Sequence, residues 1–270
     1  MIYYNDQKPM FYNNDQYLYQ GYFRTDKPQP GMQIQQAPPL AGGHKNVTGD
    51  GTTDLDGILL NPKDCVVLFI DHEPQMYLAV RSHEPEVVRS NTVGLAKACK
   101  VFNVPTILTT VDEKTFSGIT LKPIREALGN PVAIDRTFIN AWQDPKIIEA
   151  VKATGRRKVI ISALWTELCG LMPALSAKLQ GYEVYIVTDA SGGATKETHE
   201  RAVERMIQAG VVPVTWEQVM LEWQRDWART DTAGAVLEIA HEHGGAYGIG
   251  IEYQDTIARG QVVPLPMLKV

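Results

Sequence analysis

Cysteine is scarce: only Cys65, Cys99 and Cys169 occur in 270 residues. An odd number without close spacing argues against a disulfide framework and points to a reducing compartment, so a cytoplasmic location is expected. Long hydrophobic runs are missing as well. No apolar stretch reaches the roughly 20 residues of a bilayer span, and no membrane partner is expected. The opening MIYYNDQKPM lacks the basic start and continuous apolar stretch of a secretory signal. Positive charge is in deficit, with 26 Lys and Arg against 31 Asp and Glu and a net charge of -5. No basic cluster interleaves with aromatics, which speaks against nucleic acid and for a small or neutral substrate. The glycine pair of TDASGG (188–193) precedes no Lys-Ser/Thr, so no phosphate cradle and no nucleotide is predicted.

What is present sorts into three stretches. Residues 1–60 hold six of the eleven tyrosines between Tyr3 and Tyr22, followed by KPQPGMQIQQAPPLAGGHKN. Such a segment builds no core of its own, and two readings stand: a partly disordered leader, or an arm whose aromatics dock on the domain or a neighbouring subunit. DGTTDLDG (50–57) has the outline of a calcium loop but puts Thr52 where an acid is wanted and has no closing glutamate, so it reads as a turn.

From residue 61 to 230, short β-branched runs alternate with amphipathic helical stretches. Strands are predicted at CVVLFI (65–70), VPTILTT (104–110), PVAID (131–135), KVIISA (158–163), EVYIVTD (183–189) and VVPVT (211–215). Near-continuous apolar strands separated by helices imply parallel strands covered on both faces: an α/β three-layer sandwich with a doubly wound, mainly parallel sheet. Asp144-Pro145 and Thr166 open helices, and Gly155, Gly181 and Gly210 close them. EQVMLEWQRDWA (217–228) reads as a helix, and residues 231–270 as an extension with a second helix in TAGAVLEIAHEHG (232–244) and then a glycine-rich tail, GGAYGIGIEYQ.

In such a sheet, ligands bind beyond the carboxyl ends of the strands, where strand order reverses. That rule selects Asp71, His72, Glu73 and Gln75 after the first strand, and Asp112 and Glu113 after the second. Asp135, Arg136 and Asn140 lie near the third, Trp165, Thr166 and Cys169 after the fourth, and Asp189 and Ser191 after the fifth. Cys169 falls in the first turn of a predicted helix, where free N–H groups lower a thiol pKa; Cys65 and Cys99 lack that setting and read as packed thiols. Asp71 is the acid able to manage the proton of Cys169, and Arg136 the cation to balance them. Position alone leaves the alternatives open: a core thiol, a helix-capping aspartate, a surface ion pair. A dyad of His72 with Cys169 is a further option, and a redox role would need a second cysteine near Cys169.

FIDHEPQM (69–76), RTFINAW (136–142) and LWTELCGLMPALSAKLQGYEVYIVTDASGG (164–193) resemble, in order and spacing, the isochorismatase-like cysteine hydrolase superfamily and its YcaC-like branch. The resemblance covers about residues 64–230. It implies Cys169 as nucleophile of the Thr-Glu-x-Cys motif and Asp71 as general base and acid. It also implies a cis peptide bond before Trp165 and an oxyanion hole from the N–H groups of Trp165 and Cys169. Glu73, Gln75, Asn140, Trp142 and Trp165 are implied to line the pocket. Arg136 stands where the family usually has lysine. Nicotinamidase relatives bind a metal through Asp-x-His; TTVDEKTFSG (109–118) has no histidine, and no metal or other cofactor is expected. The implied activity is a cofactor-free amidase working through a catalytic triad, in a homo-oligomer for which a ring is one arrangement. The alternative is a catalytically weakened relative serving as a binding or scaffold oligomer.

Overall fold

The computed structural model describes residues 57–254 and 256. The tyrosine-rich leader, nearly all of the 50–57 turn and the last residues of the chain lie outside the described residues. Among the described residues, six strands form one sheet: β1 (Cys65–Ile70), β2 (Thr106–Val111), β3 (Ile134–Arg136), β4 (Lys158–Ala163), β5 (Glu183–Val187) and β6 (Val212–Val214). Every pairing is parallel, in the order β3-β2-β1-β4-β5-β6. The doubly wound three-layer sandwich expected from the sequence is therefore the observed fold.

The alternation of β1 shows how the layers are filled. Cys65, Val67 and Phe69 face one apolar cluster, and Val66, Leu68 and Ile70 the other, all fully buried. The first cluster is closed by α1 (Pro74–Leu78), α2 (Pro85–Val101), α3 (Lys122–Ala127), α7 (Trp216–Gln224) and α8 (Thr230–His243). The second is closed by α4 (Pro145–Ala153), α5 (Leu171–Leu179) and α6 (Lys196–Gln208). Asp144 caps α4 by accepting from the Lys146 N–H at 2.9 Å, and Gly155, Gly181 and Gly210 take positive φ beyond α4, α5 and α6.

Two local expectations change. The strand expected over 131–135 is reduced to Ile134–Arg136, because only Thr109–Val111 of β2 is left to pair with it and Val132 stands 95 % exposed. The glycine-rich tail is helical: α9 spans Ala246–Tyr253. Glycine costs a helix about 1 kcal/mol relative to alanine, so tertiary contact must supply the order. A Cβ on Gly248 would lie 2.5 Å from the His241 carbonyl oxygen, so its absence lets α9 close on the end of α8. Among the described residues, no helix is long and apolar enough to cross a membrane.

Candidate active site

The chain leaves β1 toward α1 and α2 on one face of the sheet and leaves β4 toward α5 on the other, so a crevice opens between their carboxyl ends. Register sets the two ends level, with Ile70 beside Ala163. Asp71 is the next residue on the β1 side; its N–H still pairs with the Thr109 carbonyl at 3.0 Å, and its φ of 58° turns the chain. On the β4 side follow the cis Leu164–Trp165 bond, a π-turn over Thr166–Gly170 that carries Cys169, and then α5.

Arg136 closes the set from two strands away. As the last residue of β3 it reaches across the end of β2, donating from Nη1 to the Thr110 carbonyl at 3.2 Å and from Nη2 to Asp71 Oδ2 at 2.8 Å. Both side chains of this ion pair are fully buried. Asp71 Oδ1 is buried with no hydrogen-bond partner among the described residues, and the Cys169 thiol lies close enough to the carboxyl for each to influence the other's titration. Acid, cation and sulfur thus meet at one point.

Their electrostatics differ from the helix-start reading of Cys169. Burial raises the Asp71 carboxyl above its usual range, and the Arg136 charge pulls against that rise. The thiol is pushed well above an ordinary cysteine, first by burial and next by the Asp71 charge; Arg136 and the Trp165 N–H act the other way. The expected lowering by the helix dipole is therefore overturned, because α5 begins only at Leu171 and desolvation beside a carboxylate outweighs partial charges. The thiol therefore rests neutral beside the Asp71 carboxyl, whose Oδ2 Arg136 holds.

The remaining expected residues divide. Glu73 is fully buried beside Asp71, and neither carboxyl oxygen has a hydrogen-bond partner among the described residues. Trp165 donates its indole N–H to the Met76 carbonyl at 2.9 Å, tying the β4 loop to α1. Gln75 lies exposed on α1. Asn140 gives its side chain to the Ser176 hydroxyl and the Trp142 N–H, both at 3.0 Å. Trp142 packs edge-on against Tyr182 within the second core cluster. His72 spends both ring nitrogens on Tyr77 and Ser162, so it forms no dyad with Cys169. Asp112 adopts φ 50° and bonds Thr115; Asp135 accepts from the Thr110 hydroxyl and the Glu113 N–H. Asp189 accepts from the Trp216 N–H, and Ser191 from the Ala163 N–H. Among the described residues, no group of three or more His, Cys, Asp or Glu side chains is placed to hold a metal ion.

Sequence reasoning missed the clasp around the nucleophile turn. Thr166 bonds His199 Nδ1 at 2.9 Å, and Glu167 accepts from the Ala194 N–H and the Thr198 hydroxyl. Gly193 fits beneath Glu167 because a Cβ there would come within 2.6 Å of its carboxylate. The signal was the turn run SGGAT between β5 and α6, whose partner on the β4 loop no local pattern reveals.

Buried imidazoles give this region a stability signature. Burial lowers His72 and His199 from 6.5 to about 4. The unfolded chain takes up those protons near pH 6.5 while the fold refuses them until about pH 4. Stability present above pH 6.5 should therefore be lost as pH falls toward 4, by about 1.4 kcal/mol per unit for each ring. Urea denaturation across that range checks this; a flat profile would contradict it.

Residues 65–218 match the isochorismatase domain family. The chain belongs to that family. It is 39 % identical over 178 residues to "Probable hydrolase YcaC" of Escherichia coli (strain K12), covering 66 % of this chain and 85 % of that protein. The octameric Escherichia coli YcaC, a hydrolase of unknown specificity, superposes with a TM-score of 0.70 at 35 % identity, covering 74 % of this chain and 98 % of that one. YcaC from Pseudomonas aeruginosa, solved with hexane-2,5-diol and covalent acrylamide, gives a TM-score of 0.70 at 34 % identity, with the same coverage of 74 % and 98 %. This isochorismatase-family hydrolase thus falls in the YcaC-like branch, as its motifs implied.

Proposed function

We propose that the chain is a cofactor-free cysteine hydrolase of small amides. The observation that carries this reading is the convergence of Asp71, Arg136 and Cys169 at the sheet's reversal point. As the sulfur bonds to the substrate carbonyl carbon, the thiol proton passes to Asp71 Oδ1, the oxygen left without a conventional partner. The carbonyl electron pair moves to oxygen, which the N–H groups of Trp165 and Cys169 receive. Collapse of that intermediate breaks the C–N bond, and Asp71 returns the proton to the departing nitrogen. Water, giving a proton to Asp71, then attacks the thioester carbon; the C–S bond breaks, the acid leaves, and Asp71 returns the proton to the Cys169 sulfur. Arg136 keeps Asp71 ionised between these steps. Asn140 and Trp142 act from behind, bracing the wall of the pocket through Ser176 and Tyr182.

The same reading takes residues 1–60 as an arm, 61–230 as the hydrolase domain and 231–270 as an extension. It places the chain in the cytoplasm as a homo-oligomer; the octameric Escherichia coli relative is a parallel for the assembly. Intact-mass spectrometry during turnover of a small-amide panel tests the chemistry. An acyl adduct should appear and map to Cys169; turnover with no adduct on quenching, and none on Cys169 peptides, would overturn the thioester.

A further inference from the structure

Among the described residues at these strand ends, Glu73 is a fully buried carboxyl with no hydrogen-bond partner at either oxygen; single atoms of Asp71 (Oδ1), Arg136 (Nε) and Trp142 (Nε1) are unpartnered too. The Arg136 fork is engaged on Thr110 and Asp71, Asp71 faces the thiol, and His72 is satisfied on both nitrogens. Glu73 is the N-cap residue of α1, and its side chain accepts no bond from the helix N–H groups that follow. Both of its oxygens are buried and unpartnered among the described residues. Native structures rarely leave such atoms unmatched unless a ligand or water completes them.

The charges around it fix its form. Asp71 and half-buried Glu113 face it with negative charge, while the nearby positive charge of Arg136 is already paired with Asp71. Burial, and next the Asp71 charge, push Glu73 from 4.5 up to about 9, so it holds its proton at neutral pH. A carboxylic acid offers one O–H donor and one carbonyl acceptor along the same edge. Its complement is a carbonyl oxygen with an N–H on the same side.

Resting on the hydrolase reading above, we propose that Glu73 sets the substrate class: its carboxyl pairs edge to edge with a carbonyl and a cis N–H beside the reacting sulfur. Primary amides, lactams and ureas carry that edge. Open-chain secondary amides in their trans form, tertiary amides and esters do not. A site built for a hydrogen bond discriminates strongly against analogues lacking it, because its own buried groups are then left unpaired.

Binding is measured in the Cys169→Ala chain, which cannot be acylated, so the result stands apart from the fate of the thioester mechanism. Propionamide, N,N-dimethylpropionamide, methyl propionate and propylammonium are titrated at pH 7 by ligand-observed NMR. Propionamide should bind on the order of 10-fold tighter than the dimethyl amide or the ester. Adding Glu73→Gln, which keeps a donor and an acceptor on one edge, should preserve that preference; adding Glu73→Leu should erase it. Affinity for propionamide should fall as pH rises through about 9 with Glu73 present and stay flat with glutamine. Equal binding of the dimethyl amide, tightest binding of propylammonium, or a pH profile unchanged by Glu73→Gln would each overturn the proposal. Should Glu73→Leu fail to fold, the glutamine variant and the pH profile still decide it.

Discussion

Cys169→Ala should fold normally and lose turnover of small amides by about 10^4-fold or more. The thiol is the proposed nucleophile, and the methyl left behind offers no electron pair. Residual rate would come from the oxyanion donors and from binding, which persist when a nucleophile is removed. The structural cost is small, because alanine vacates only the volume of one sulfur beside Asp71, a change expected to cost about 1 kcal/mol. Asp71 keeps its partner Arg136 in this variant, so the ion pair is undisturbed. Cys99→Ala is the matched control: that thiol lies in α2 inside the first core cluster, away from the strand ends, and its loss should leave kcat unchanged. Steady-state assays on a small-amide panel, with thermal unfolding of both variants, decide the matter. Undiminished hydrolysis by Cys169→Ala would remove the nucleophile.

Much of the fold was legible because it depends on nearest-neighbour pattern. CVVLFI and KVIISA read as buried strands, and β1 and β4 occupy those residues without change. The doubly wound rule put Asp71 and Cys169 at strand ends that face one another if the first and fourth strands are neighbours, and the sheet order makes them so. Misreadings arose where the deciding partner is distant in sequence. Local composition gave GGAYGIGIEYQ no reason to order, and α9 forms because α8 presents backbone for Gly248 to approach. Cys169 looked like a thiol activated by a helix start, since dipole effects are readable from position and burial is not. Asn140 was selected by motif as a pocket residue; its bond to Ser176 adds a contact set by the packing of α5, which the motif does not encode. Glu73 was legible as a site residue by resemblance, but that its carboxyl is buried and unmatched emerges only from the assembled crevice.

Arg136 separates a working triad from a degenerate one. Arg136→Met should destabilise the chain by roughly 3–5 kcal/mol at pH 7, because it strands the buried Asp71 charge without a partner. Asp71 has a way to relieve that penalty: it can take up a proton, since burial already raises its carboxyl and Arg136 is the largest influence opposing the rise. A protonated Asp71 no longer accepts from the thiol, so kcat should fall by about 100-fold or more and the acid limb of the pH profile should move to higher pH. The sign is set by the depressing influence of Arg136. Its stabilising contribution is present while Asp71 is ionised and vanishes as falling pH protonates Asp71 in both proteins, so the stability gap should narrow on acidification. Arg136→Lys tests geometry with charge held constant. One ammonium replaces a fork that now spans the Thr110 carbonyl and Asp71 Oδ2, so it must give up alignment at one of them. A working arginine site predicts a loss of about 10-fold in kcat with lysine, with KM little changed. A large gain would instead mark arginine as the lesion of a binding or scaffold protein. Stopped assays of kcat against pH for the three chains, with denaturation curves at pH 7 and pH 5, distinguish these outcomes.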